Sequence, residues 1–203
     1  MKIPSIIQRW GLIRTFAIAS FVSIITINIV SGFVFFSFLQ DRLLQREMVI
    51  SAEFIQSVSI INKTEPSFRG STDPRDKQEI EEFFHHIFDL PDVFRTTIYD
   101  IQRRIIWSND EHIIGKIFTD NEELNLAANG VRVFNESQVN KHSKEEHHFL
   151  PENVDRFVES YFPVWDKQHQ QVIGVVELYK SPIALYETLR EGRILVIIVS
   201  LFS

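Results

Sequence analysis

The stretch that decides the fold is residues 98–118, IYDIQRRIIWSNDEHIIGKIF. Two runs rich in β-branched and aromatic residues, Val93 to Tyr99 and Arg104 to Trp107, meet here. Between them, Asp100-Ile101-Gln102-Arg103 suits a hairpin turn. A polar break, Ser108-Asn109-Asp110, and the short tag Ile114-Gly115-Lys116 follow. A strand pair at this point makes the middle of the chain sheet, and the flanking segments must cover it.

Upstream, Ser71-Thr72-Asp73-Pro74 reads as a helix start: Asp73 can cap, Pro74 suits the first helical position and Asp76 favours the positive end. Ile80, Phe83, Phe84, Ile87 and Phe88 then recur at i, i+3, i+4, i+7 and i+8, one apolar face that needs a partner. Pro91 ends the run. Downstream, residues 119–128 are weakly helical and stop at Asn129-Gly130. Strands are expected at Val131–Phe134, near Val154–Val164 and at Val172–Tyr179, the last two joined by the turn Asp166-Lys167-Gln168-His169. Residues 135–153 read as an exposed polar loop, and Ser181-Pro182 as the start of a last helix. The expected fold class is α+β, an antiparallel sheet with the N-terminal helices packed on it.

The charge pattern separates the ends from the middle. Lys2, Arg9 and Arg14 give the first forty residues a charge of +3, so a chain of −6 overall leaves −9 for the remainder. That acidic balance excludes nucleic acid as an expected partner, because phosphate binding needs clustered Lys and Arg. The uncharged run Thr15 to Leu39 is 25 residues long. At about 1.5 Å per residue it is enough for a hydrocarbon layer of roughly 30 Å. A cleaved signal peptide is the competing reading, but no clean small-x-small site follows. The preceding cations place the N-terminus in the cytoplasm and the chain after Asp41 outside. Leu43, Leu44, Met48, Ile55 and Val58 continue the helical signal as a stalk. Ile194 to Phe202 is apolar but reaches only about 14 Å, as expected of a second span cut short; a short apolar tail is the alternative. With no cysteine, disulfide and thiolate chemistry are excluded.

The order of elements, with YDIQRRIIWSND, IIGKIF and VIGVVELYKSP, resembles the extracytoplasmic PAS-like sensor domains called PDC or Cache domains. Tyr99-Asp100, Trp107-Ser108 and Ile114-Gly115 match that pattern, while Arg103 stands where the turn glycine is usual. The resemblance covers about residues 41–193. It implies a cytoplasmic N-terminus (1–14), a transmembrane helix (15–39), a sensor domain with a helical stalk (40–193) and the start of a truncated second transmembrane helix (194–203). It further implies the sensory input portion of a bacterial inner-membrane receptor, with a two-component sensor histidine kinase as host. Such a chain works as a homodimer in the lipid bilayer and detects a small-molecule or ionic cue in the periplasm. It reaches a response regulator only through cytoplasmic parts it does not itself hold. A chemoreceptor or a diguanylate cyclase as host, and a small anchored envelope binding protein without output, are the alternatives. The chain has no histidine phosphorylation motif, nucleotide loop or nucleophile–base set, so no catalysis and no cofactor are expected of it.

Relatives that sense carboxylates contact them near the sheet-to-helix break, which points to His112, with Arg132 on the third strand and Tyr161 on the fourth facing the same concavity. The ordinary reading has Arg132 in solvent and Tyr161 in the core. Trp107, Phe134 and Trp165 are expected in the core. His142, His147 and His148, with Glu145 and Glu146, have the residue types for a metal or a proton. Lys141 and Lys144 oppose a cation there, and a solvated loop is the expectation, with no metal.

Overall fold

The computed structural model describes residues 5–138 and 156–181, with Arg190 and Gly192. The chain divides into two units, Met1–Gln45 with Leu185–Ser203, and Arg46–Ala184. Helix α1 spans Ser5–Ile61. Within its first unit, Phe16, Phe21, Ile27, Phe33 and Phe38 stand exposed around the helix. Its polar side chains turn back onto the backbone: Thr15, Ser23 and Thr26 donate their hydroxyls to the carbonyls of Gly11, Ala19 and Val22, and the Asn28 amide donates to Ile24. Each of those donors thereby finds an acceptor inside the helix, as an apolar surrounding would demand. This helix is long and apolar enough to cross a membrane. The expected second span, 194–203, lies outside the described residues.

In the second unit α1 changes character. Met48, Ser51, Ala52, Ile55, Val58 and Ser59 are buried, a stripe at 3–4 spacing laid on a sheet. Helix α2, Glu65–Phe68, turns the chain, and α3, Pro74–Phe88, starts where Asp73 accepts from the Arg75 amide. That bond holds the Asp73 carboxyl below its ordinary range. The α3 face of Ile80, Phe83, Phe84 and Ile87 is buried as its spacing requires.

Strands β1 (Val93–Asp100), β2 (Ile105–Ser108), β3 (Val133–Gln138), β4 (Arg156–Trp165) and β5 (Val172–Lys180) form one sheet in the order β2-β1-β5-β4-β3, with every neighbouring pair antiparallel. This is the expected α+β class with a PAS-like strand order. In the β1–β2 turn, Asp100 accepts from the Arg104 amide at 2.9 Å, and Arg103 takes the left-handed φ of +65° that glycine would fill more cheaply. The tag Ile114-Gly115-Lys116 returns the chain along β2: the Gly115 amide donates to Ile105, and the Ile105 amide to Lys116. Gly115, at φ +85°, makes that return possible.

One face of the sheet meets α1 and α3 in an apolar core of Ile55, Phe68, Phe83, Ile98, Phe162 and Leu178. Trp107 stacks on Phe84 at its border, as expected of a core residue. The other face meets α4 (Glu122–Ala128), whose Leu124 and Ala127 pack with Tyr99, Ile105, Tyr161 and Val175. The third strand begins two residues later than expected, because the amides of Gly130 and Val131 close α4 onto Ala127 and Leu126. Arg132 therefore precedes β3 instead of lying on it. Phe134, expected in the core, is exposed, since β3 is an edge strand. Residues 135–138, expected in the loop, continue β3.

Candidate functional site

On the α4 face, alternation along β1, β5 and β4 brings polar side chains into two transverse rows. Thr97 pairs with Glu177, and Glu177 with Tyr161; Arg95 pairs with Tyr179, and Tyr179 with Glu159. All six are buried, as is Tyr99. A sheet face that usually meets water here carries a polar cluster enclosed in protein.

Hydrogen bonds organise it. The Tyr161 hydroxyl donates to Glu159 Oε1 at 2.6 Å and accepts from Asn121 Nδ2 at 3.0 Å. Asn121 also caps α4, its side-chain oxygen accepting from the Leu124 amide, so the cap fixes helix and tyrosine together. The Tyr179 hydroxyl donates to the same Glu159 oxygen at 3.0 Å, and the Tyr99 hydroxyl donates to Glu177 Oε2 at 2.8 Å. The Arg95 guanidinium lies 5.2 Å from the centre of the Tyr179 ring, a cation–π distance.

Among the described residues the cluster holds two carboxylates, Glu159 and Glu177, and one guanidinium, Arg95. Burial, and then the neighbouring Glu159 carboxylate, push the Glu177 carboxyl up to about 7 against the pull of the Tyr99 and Tyr161 hydroxyls and of Arg95. Burial and the same carboxylates push the Tyr161 hydroxyl far above the phenol range, so it stays a donor. The arrangement can take up a proton near neutral pH.

The three residues expected at a ligand site fare differently. Tyr161 is in the cluster, its hydroxyl committed to Glu159 and Asn121. His112 lies exposed on a 3-10 turn, Glu111–Ile113, whose start Asp110 caps. Arg132 is exposed too. Their neighbours Ile113 and Val133 pack on the apolar cluster that contains Tyr161, so both sit at its border. His142, His147 and His148 lie outside the described residues. Among the described residues, no group of three His, Cys, Asp or Glu side chains could hold a metal. Sequence reading missed Arg95, Glu159, Glu177, Tyr99 and Tyr179. The available signal was their i, i+2 spacing in strands whose other positions are also apolar, which marks a sheet buried on both faces.

No family model matches the chain, and no curated protein matches it. Among solved structures, an extracellular ligand binding receptor from Desulfohalobium retbaense DSM5692 is similar, with 15% identity and a TM-score of 0.36 over 72% of this chain. The chain spans 26% of that receptor. The DcuS sensor domain of E. coli is similar over 70% of this chain and 98% of its own length, with 15% identity and a TM-score of 0.38.

Proposed function

We propose that this chain is the sensory input portion of a membrane-bound signal-transduction receptor of the PDC/Cache kind, hosted by a two-component sensor histidine kinase. It works as a homodimer anchored in the inner membrane by α1, with residues after Asp41 in the periplasm. The chain itself performs no catalysis, and a response regulator is reached through the host's cytoplasmic parts. The cue is ionic, with the proton as its simplest form, and acts on the buried Glu159–Glu177 cluster.

One observation carries this reading. The last residue of β5, Lys180, reaches across to α1, donating to Glu47 Oε1 at 3.0 Å and to Ser51 Oγ at 3.2 Å. The strand that bears Glu177 is thereby tied to the helix that continues into the apolar segment. Two arrangements of that tie would give a cue something to choose between, which is what a population shift requires.

A host receptor with a transcriptional reporter tests it. The tie is a part-exposed ion pair, worth about 0.2–1 kcal/mol, so Glu47→Lys should shift basal output by roughly 1.5- to fivefold. The swap Glu47→Lys with Lys180→Glu should return output towards the original level. Unchanged output in both variants, at normal abundance, overturns the reading.

A further inference from the structure

The end of α1, helix α2 and the β4–β5 hairpin border a cleft of about 440 Å³. Ile60, Pro66, Trp165 and Ile173 line it with apolar surface, and three cations, Lys63, Arg69 and Lys167, share it with the single carboxylate of Glu65. Arg69 already binds that carboxylate, at 3.0 Å. Lys63 and Lys167 form no ion pair among the described residues. A local charge of +2 thus sits in a part of the chain that is otherwise strongly acidic.

Trp165 is held still from several sides. Its backbone amide donates to Gln56 Oε1 at 2.8 Å, and its carbonyl accepts from Gln56 Nε2 at 2.9 Å. His169 stacks on the ring with centroids 5.9 Å apart, and a side chain at Gly130 would collide with its edge. A fixed aromatic wall of this kind lowers the ordering cost of a bound ring. Lys63 adds a second signal. It occupies φ +50° just after α1, a place where glycine is the least strained residue. Glycine at this position would relieve the backbone and remove the ammonium together, so it tests what the side chain does.

We propose that this cleft binds a small aromatic carboxylate, its ring on Trp165 and its carboxylate taken by Lys63 and Lys167. The volume lies within the roughly 300–1,000 Å³ of small-molecule sites. The cleft shares no residue with the Glu159–Glu177 cluster, and binding there needs no signalling output, so this inference and the sensory reading fail separately.

The test titrates phenylacetate, its neutral amide and inorganic phosphate into the full chain in detergent micelles, read by tryptophan fluorescence and by calorimetry. Phenylacetate should bind saturably, and the amide should bind several-fold more weakly. With about 1.5- to fivefold expected per exposed charge, Lys63→Gln with Lys167→Gln should weaken the acid by roughly two- to twenty-five-fold. Trp165→Phe should abolish the fluorescence change. Lys63→Gly separates function from structure: it should raise the melting temperature by relieving the strained φ and still weaken the acid. No saturable binding overturns the proposal, as does equal affinity for acid and amide. Phosphate that binds as tightly as phenylacetate overturns it too, as does a Lys63→Gly variant with undiminished affinity.

Discussion

Replacing Glu177 by Gln puts a permanently neutral isostere into the buried cluster, and the structure fixes the sign of the result. An unfolded glutamate titrates near its ordinary 4.5, whereas Glu177 in the folded chain is raised to about 7 by burial and by Glu159. Between those values the unfolded chain releases a proton that the folded chain retains, so stability falls as pH rises through that window. Below it both forms are protonated and the penalty is absent; above it the penalty is complete. At roughly 1.4 kcal/mol per unit the loss amounts to about 3 kcal/mol. The substituted carboxamide keeps an oxygen to accept from the Tyr99 hydroxyl, so packing is preserved. At pH 4, below the window, the variant and the natural chain should therefore melt together. At pH 8 the variant should be more stable by ~3 kcal/mol, or about 6–12 °C in melting temperature for a domain of this size. Near-ultraviolet circular dichroism of the chain in micelles follows the sheet domain and not the apolar helix. Subtracting one protein from the other cancels every titration that the two share. Equal melting at pH 8, or the same slope in both proteins, would refute the argument.

Three further outcomes follow from individual contacts. Gly174→Ala should destabilise by at least ~1–3 kcal/mol in chemical denaturation, because the new methyl meets the buried Phe68 ring and comes within 2.5 Å of the Tyr99 carbonyl. Arg103→Gly should stabilise by about 0.5–1 kcal/mol, since relief of the left-handed φ outweighs the added freedom of the unfolded chain. The buried Arg103 Nε has no hydrogen-bond partner among the described residues, so nothing is lost with it. Gln56→Ala should cost about 1–3 kcal/mol and speed amide exchange at Trp165, whose N–H would lose its acceptor.

What could be read in the sequence was local. Asp73-Pro74 and the 3–4 spacing of Ile80, Phe83, Phe84 and Ile87 located α3 because capping and amphipathicity act within a few residues. The hairpin at Asp100–Arg103 was equally local, as was the pairing of β4 with β5 across a short turn. The candidate site was not. Period-two spacing says that Glu159 and Tyr161 share a face, but not whether α4 and the sheet enclose that face. Which strand β5 would lie beside depends on pairings about eighty residues apart, such as Thr97 with Glu177. Tyr161 does lie in the buried cluster, yet its partners come from Asn121 and Glu159, not from His112 and Arg132. Trp165 was expected in the core, and it lines a cleft because the bulge after Val164 takes it out of register.

The middle strand of the sheet has a further consequence. Lys180 and Glu177 are three positions apart on β5, so they point to opposite sides of the same ribbon. A small roll of that ribbon about its long axis displaces both ends of the odd-numbered step at once, in opposing directions. Whatever alters charge on the wet-chemistry side is therefore geared, through a few peptide units of stiff backbone, to the hand that grips α1.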